Sequence, residues 1–204
     1  MNPPVFVPPA APSPLRLDPG PRGHRYGLDA FLLADFAEVS GESLVADLGT
    51  GTGVVALLMA YRRPGLRVVG VELQGEFLRV AAANARRSRL VGSIAFVQAD
   101  LRRTAAWAKG GRFDAVVVNP PYHKLGTGRL SPDPGRAMAR CEVALDVPTW
   151  LGAARHLLSA GGRLFVVFLA ERESELVSRM KEKGLPARRL RRVHPAAGRP
   201  ATTV

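Results

Sequence analysis

The sequence predicts an open α/β domain with a doubly wound, mostly parallel β-sheet and helices on both faces. Short apolar runs alternate with helical stretches from about residue 43 to about residue 183. Each run ends in a glycine, an acidic residue or a turn signal, as buried strands commonly do. The 204 residues fit one ordinary domain with a continuous core. In such sheets, ligands bind beyond the carboxyl ends of the strands.

The elements follow in order along the chain. Residues 1–22 are proline-rich and are expected to form a flexible tail before a single domain over residues 23–204. Apolar spacing predicts a helix over about 30–39, with Asp29 placed to cap its first turn. Strands are predicted at about Ser43–Leu48, Arg67–Glu72, Ile94–Gln98, Phe113–Val118 and Arg163–Phe168. Helices are predicted at about Gly53–Arg62, Gln74–Arg89, Leu101–Ala108, Pro148–Ser159 and Glu171–Lys183.

Composition limits the class of protein and of partner. Hydrophobic residues make up 47% and charged residues 23%, which excludes disordered and fibrous classes. No apolar run approaches the roughly 20 residues of a membrane helix, and the single cysteine, Cys141, suits a reducing compartment, so we expect a cytoplasmic protein without a metal site. The net charge of +12 favours a polyanionic partner, although a general arginine bias of the coding sequence also explains it.

A glycine-rich turn follows the first predicted strand. The segment Asp47–Gly53 carries glycines at alternate positions and runs directly into a helical stretch. These glycines let the backbone approach a ligand, and the N–H groups at the helix start can meet a carboxylate or a ribose. Dinucleotide-binding loops read GxGxxG, so the early third glycine favours S-adenosylmethionine, with NAD as the alternative. The cofactor-binding residues expected here are Asp47, Gly49, Thr50, Gly51 and Gly53.

Acidic residues end the next two predicted strands. Glu72 can accept hydrogen bonds from both ribose hydroxyls, or it is a solvated charge at the start of the next helix. Asp100 can accept a hydrogen bond from the adenine amine, cap the helix that begins at Leu101, or do both. Together with the adjacent Leu73 and Leu101, these residues complete the predicted cofactor site.

The fourth predicted strand ends in Asn119-Pro120-Pro121-Tyr122. Two prolines cannot continue a sheet, so Asn119 should project into the crevice, next to cofactor and substrate. The Asn119 amide oxygen and the Pro120 carbonyl can each accept a hydrogen from an exocyclic NH₂ group and aim its lone pair at a sulfonium methyl. Tyr122 offers a face for a flipped base, worth about 1–3 kcal/mol. We therefore predict Asn119, Pro120 and Tyr122 as catalytic, the alternative being a plain strand-ending turn.

These motifs resemble the class I, Rossmann-like amino methyltransferases, in which the tetrapeptide reads Asn/Asp-Pro-Pro-Tyr/Phe. The resemblance implies methyl transfer from S-adenosylmethionine to a planar amine. The grouping includes adenine N6 and guanine N2 methyltransferases of nucleic acids and glutamine methyltransferases of release factors. The last of these has no need of a +12 charge and usually carries a helical domain before the glycine loop, for which this sequence leaves little room.

A narrower resemblance begins at residues 23–34. This segment is similar to the one preceding the first strand in the adenine N6-methyltransferases of valine tRNA, where it folds over the methionine end of the cofactor. The resemblance implies that Arg25, Tyr26 and Asp29 lie near the cofactor tail. An ordinary capped helix is the alternative. The family continues beyond the position of Val204, so the last strand is expected to be incomplete and a strand at about Arg189–Val193 poorly paired.

Basic residues mark the expected substrate side, which we assign to tRNA. A segment without clear periodicity follows Tyr122, and long loops at a crevice are usually functional. The predicted substrate-binding residues are Pro121 and Tyr122, directly before this segment, and His123, Lys124, Arg129 and Arg140 within it. A second basic cluster is a candidate clamp for the RNA backbone and comprises Lys181, Lys183, Arg188, Arg189, Arg191, Arg192 and Arg199. The alternatives are an rRNA guanine N2 or protein glutamine methyltransferase, and an RNA-binding protein without turnover.

Overall fold

The computed structural model describes residues 15–20, 26–120 and 146–204 of the chain. These residues form a five-stranded parallel sheet. Its strands are β1 Leu44–Leu48, β2 Arg67–Glu72, β3 Ile94–Gln98, β4 Phe113–Val118 and β5 Leu158–Val166. They lie in the order β3-β2-β1-β4-β5, so the chain winds outward from β1 and then crosses back to β4. The crevice expected at such a reversal therefore lies at the carboxyl ends of β1 and β4.

Helices cover both faces of the sheet, as predicted. They are α1 Leu28–Phe36, α2 Val54–Arg62, α3 Gly75–Arg87, α4 Thr104–Trp107, α5 Val147–Leu157 and α6 Glu173–Glu182. One buried cluster joins α1, α2 and α3 to the sheet through residues such as Leu33, Leu57 and Val117. A second cluster joins α5 and α6 to the opposite face through Trp150 and Leu176. Successive side chains of β4 point to opposite faces of the sheet, so Val117 belongs to the first cluster and its neighbours Val116 and Val118 belong to the second.

Strand boundaries agree closely with the prediction, and the differences have local causes. β2, β3 and β4 have the predicted bounds. β5 starts earlier than predicted because Leu158 pairs with Phe113, and the register then shifts before Arg163 pairs with Ala115. It also ends earlier, because Phe168 exchanges backbone hydrogen bonds with Val204 instead of continuing the parallel ladder. The single helix predicted over Leu101–Ala108 is a 3₁₀ turn followed by the short α4.

The predicted cap of α1 is wrong. The N-cap position is Gly27, with extended backbone and no side-chain cap, and Asp29 lies inside the first turn. An acidic residue there still interacts favourably with the helix dipole. The Asp29 carboxylate also accepts a hydrogen bond of 3.4 Å from the Thr203 hydroxyl. Asp29 therefore connects α1 to residues 189–204, which we call the C-terminal segment.

Part of the predicted flexible tail is docked on the domain. Residues 15–20, which we call the N-terminal strap, lie along α3. Leu15 and Leu17 pack against the cluster beneath α1, α2 and α3. The Asp18 carboxylate lies 3.5 Å from a guanidinium nitrogen of Arg87. The prediction of a flexible tail did not include these contacts, because proline-rich composition does not reveal contacts with distant residues. Residues 1–14 and 21–25 lie outside the described ranges.

The C-terminal segment pairs antiparallel at the open edge of the sheet. Thr203 forms isolated bridges with both Leu169 and Val193. The segment at about Arg189–Val193 is poorly paired, as expected, with only Val193 forming a bridge within the described residues. No helix in the described ranges has the length and apolar character needed to cross a membrane.

Candidate active site

The strand register places the predicted site residues along one edge of the sheet. Leu48 is paired with Val71 of β2 and with Val118 of β4, and Glu72 is paired with Gln98 of β3. The residues that follow Leu48 and Val118, Gly49 and Asn119, therefore leave adjacent strands side by side. Adjacent strands are about 4.8 Å apart, so the edge from β3 to β4 spans about 14 Å. An extended ligand can lie across it.

The glycine loop has the backbone that its sequence predicts. Gly49, Gly51 and Gly53 have φ values of 69°, 55° and 82°, in the left-handed region that favours glycine. A Cβ added at Gly51 would meet no atom within 4 Å, whereas one added at Gly53 would lie 3.1 Å from the Ala81 side chain. Gly51 thus faces open space, and Gly53 allows close packing of the loop on α3.

The carboxylate of Asp47 fixes this loop through hydrogen bonds. It is 1% exposed and accepts hydrogen bonds from the Thr50 hydroxyl at 2.6 Å and from the Ala56 N–H at 3.2 Å. Burial, with a smaller contribution from the charge of Glu72, raises the pKa of Asp47 to about 6 against the lowering effect of its two hydrogen bonds. These contacts connect the loop to the first turn of α2 and make Asp47 a positioning residue.

The carboxylate of Glu72 also contacts the loop. It is 7% exposed, and its two oxygens accept hydrogen bonds from the Gly51 N–H at 3.1 Å and the Gln74 N–H at 2.9 Å. A carboxylate offers about four acceptor sites, so capacity remains for two ligand hydroxyls. The next residue, Leu73, is 39% exposed and provides an apolar surface beside them.

Asp100 caps the turn that follows β3, as one of its predicted roles required. It accepts a 2.9 Å hydrogen bond from the Arg102 N–H, and its oxygens also pair with the Arg102 guanidinium. This hydrogen bonding with Arg102 lowers the pKa of Asp100. The adjacent Leu101 is 6% exposed and belongs to the core of the second face. Asp100 is therefore ionised and fixed at the β3 end of the edge.

The tetrapeptide predicted to be catalytic begins directly after β4. Asn119 is half-buried and Pro120 is buried. Tyr26 was predicted to lie near the cofactor tail. It is partly buried against the first core cluster, with its ring centroid 6.2 Å from that of Phe31. The remaining predicted site residues lie outside the described ranges: Arg25, Pro121, Tyr122, His123, Lys124, Arg129 and Arg140.

The predicted RNA clamp is partly neutralised by ion pairs within the protein. Arg189 pairs with Glu38 at 2.8 Å and Arg191 with Asp35 at 2.9 Å. Both guanidinium groups also lie over the Phe36 ring, at 4.3 and 5.2 Å from its centroid. Arg192 pairs with Glu173 at 2.6 Å. These arginines fasten the C-terminal segment to α1 and α6. The interpretation of the cluster as a clamp stays a prediction.

Sequence reasoning did not identify the buried amide of Asn84. Its side chain contacts both the glycine loop and the N-terminal strap. An Asn on the core-facing side of an otherwise alanine-rich helix was the available signal, because buried amides are usually held by specific hydrogen bonds.

Known proteins resemble this chain in sequence and in fold. The model of the methyltransferase small domain family matches residues 28–132. A tRNA1(Val) (adenine(37)-N6)-methyltransferase of Porphyromonas gingivalis is 34% identical over 158 residues, covering 74% of this chain and 61% of the relative. The enzyme of the same name from Tolumonas auensis is 30% identical over 176 residues, covering 86% of this chain and 72% of the relative.

Two solved structures share the fold. A predicted O-methyltransferase from Agrobacterium tumefaciens has a TM-score of 0.66 at 21% identity and covers 86% of this chain and 77% of that one. TrmN from Thermus thermophilus has a TM-score of 0.54 at 24% identity and covers 81% of this chain and 42% of that one. At these identities the two structures support the fold alone.

Proposed function

Because the chain belongs to the methyltransferase small domain family, we propose that it transfers a methyl group from S-adenosylmethionine to the N6 amine of an adenine in tRNA. The observation that carries the proposal is the alignment of the glycine loop, Glu72 and Asn119 on adjacent strand ends. The substrate follows from the relatives named as adenine N6-methyltransferases of tRNA. The chain spans 61% of the length of the Porphyromonas relative, and the proposed activity concerns residues 23–204 acting as one domain.

The described residues fit such a cofactor. The open space at Gly51 admits a ligand next to the loop backbone. Glu72 has acceptor capacity left for ribose hydroxyls, and an adenine amine would share the Asp100 carboxylate with the Arg102 guanidinium. Asp47 does not need to touch the cofactor, because its hydrogen bonds already set the loop. The exposed Leu73 can pack against the flat adenine ring.

Asn119 and Pro120 supply the chemistry on the amine. When bound, S-adenosylmethionine offers a methyl group on a sulfonium sulfur that departs as a thioether. The Asn119 amide oxygen and the Pro120 carbonyl accept the two amine hydrogens and direct the nitrogen lone pair toward the methyl group. The methylated nitrogen is then strongly acidic and loses its extra proton to water. Alignment and preorganised acceptors, with no general base, thus account for the acceleration.

The substrate side rests on residues outside the described ranges. Tyr122 would stack on the flipped adenine, and the basic residues of the following segment would hold phosphates. The net charge of +12 supports a polyanionic substrate. A tRNA substrate would place the reaction in the cytoplasm.

One transfer assay tests the proposal. The protein is incubated with methyl-labelled S-adenosylmethionine and either tRNA lacking the modification or a release factor with its glutamine. We expect label in N6-methyladenine of tRNA and a loss of about 100-fold or more in Asn119→Ala, the scale for removing an oriented polar group from an active site. Label in the release factor, or tight tRNA binding without transfer by the wild-type protein, would overturn the proposal.

A further inference from the structure

The side chain of Asn84 on α3 is fully buried and uses its whole hydrogen-bonding capacity. It is 0% exposed. Its amide nitrogen donates to the Thr52 carbonyl at 3.1 Å and to the Asp18 carbonyl at 3.2 Å. Its oxygen accepts from the Asp18 N–H at 2.8 Å and from the Arg87 guanidinium at 3.0 Å. A buried amide with four partners fixes the orientation of all of them.

Two of these partners belong to segments that are far apart in the sequence. Thr52 lies in the glycine loop between Gly51 and Gly53, and it is 2% exposed. Asp18 lies in the N-terminal strap. The strap also touches the loop directly, because a Cβ added at Gly20 would lie only 2.5 Å from the Thr52 methyl group. The loop is therefore held by Asp47, by Glu72, and by Asn84 together with the strap.

We propose that Asn84 is a positioning residue of the cofactor site and that the N-terminal strap is part of that site through it. The loop contains three glycines with positive φ, so its own backbone restricts it weakly. A hydrogen bond to the Thr52 carbonyl fixes the peptide plane between Thr52 and Gly53, one residue beyond Gly51, where the ligand is expected. Holding the loop in its binding conformation reduces the entropy lost when the cofactor binds. This inference rests on the proposed function.

The decisive variant is Asn84→Asp, which keeps the shape of the side chain but removes both donors. The dissociation constant of S-adenosylmethionine, measured by calorimetry on the full chain, should rise about tenfold, as expected for a lost hydrogen bond with an unsatisfied partner. In the transfer assay, KM for the cofactor should rise by a similar factor, with kcat at saturating cofactor within about twofold of wild type. A merely structural role would lower Tm and leave KM unchanged.

Two further variants make the result interpretable. Ser88→Ala removes the acceptor of the 3.2 Å hydrogen bond from the Arg16 N–H and loosens the other end of the strap without touching the loop. Its cofactor affinity should match that of wild type. Gly20→Ala pushes the strap against Thr52, and it should weaken cofactor binding even though Asn84 is intact. If Asn84→Asp does not fold, Asn84→Ser, which keeps one donor, replaces it with the same expected rise in KM.

The outcomes separate this inference from the proposed function. Wild-type binding of S-adenosylmethionine together with unchanged affinity in the Asn84 variants would overturn the positioning role and leave the proposed function standing. Unchanged affinity in Gly20→Ala would overturn the role of the strap. A wild-type protein that does not bind S-adenosylmethionine would overturn the proposed function and this inference with it.

Discussion

At the residue scale, the buried carboxylate of Asp47 makes the glycine loop sensitive to pH. Its pKa is about 6 in the folded protein against an ordinary value of 3.8. The folded state therefore binds this proton more tightly than the unfolded state. Protonation of Asp47 therefore stabilises the folded state by about 3 kcal/mol. This stabilisation is fully present below the ordinary pKa of 3.8 and is lost as the pH rises through 6.

The substitution Asp47→Asn removes this titration but keeps an oxygen that can accept from Thr50 and Ala56. The free energy of unfolding of the wild type, minus that of Asp47→Asn, should fall by about 2.4 kcal/mol between pH 4 and pH 7. Urea denaturation at a series of pH values measures this difference. Asp114→Asn, an exposed position on β4, is the matched control. A flat difference for Asp47→Asn would contradict the role of burial.

A second prediction at this scale concerns Glu72. In Glu72→Gln one acceptor oxygen becomes a donor, so one of the Gly51 and Gln74 N–H bonds and one ribose bond are lost. Hydrogen bonds to a charged group contribute about 1.5–3 kcal/mol, so S-adenosylmethionine should bind roughly 10–100 times more weakly. Calorimetric titration measures the affinity. Glu76→Gln, in the first turn of α3, is a control for the change of charge. Equal affinities in the two variants would refute the ribose assignment.

At the element scale, two glycines of one loop should behave differently. Gly51→Ala meets no neighbouring atom but must adopt φ 55°, and Gly53→Ala must adopt φ 82° and also displace Ala81 or Phe96. A left-handed conformation costs roughly 1–2 kcal/mol for a residue with a side chain. We expect Gly51→Ala to fold with that modest loss and to bind the cofactor poorly, because its methyl group enters the open space.

Gly53→Ala should lose more stability, about 1–3 kcal/mol beyond the conformational cost, since overpacking adds to it. Thermal unfolding and cofactor titration of both variants give the comparison. A Gly51 variant that binds normally would show that the ligand does not approach this position.

The sequence predicted the elements whose signals are local. β2, β3 and β4 are short apolar runs that end in an acid or a proline, so periodicity and punctuation determine their bounds. The glycine loop and the Asn119-Pro120 strand end were found for the same reason. The roles proposed for these residues toward cofactor and substrate stay predictions.

Contacts between residues that are far apart in the sequence were not predicted. Asp18 meets Asn84 across 66 residues, and Arg191 meets Asp35 across 156. Neither the docking of the strap nor the neutralisation of the arginines follows from composition, which predicted a mobile tail and a clamp. The position of Asp29 inside α1 instead of at its cap shows the same limit at shorter range, since Gly27 and Asp29 both suit a helix start.

At the scale of the whole molecule, we expect two groups among the basic residues behind the +12 charge to differ in function. Arg189 and Arg191 are occupied by Asp35, Glu38 and Phe36, so they should contribute to stability and little to RNA binding. Lys124 and Arg129 belong to the segment predicted to contact phosphates. The dependence of tRNA affinity on salt separates the two groups, because each phosphate contact adds about 0.7–0.9 to the slope of log K against log salt.

The double variant Arg189→Gln/Arg191→Gln should have a lower Tm but the wild-type tRNA affinity and salt slope. Lys124→Gln/Arg129→Gln should instead keep its Tm and reduce the slope by roughly 1.4–1.8, because two phosphate contacts are lost. The two variants remove the same net charge, so a general electrostatic attraction would weaken both equally. Filter binding of tRNA at several salt concentrations, with thermal unfolding of each protein, distinguishes local contacts from that general attraction. Equal slopes in the two variants would mean that the overall charge, and not the segment after Tyr122, holds the RNA.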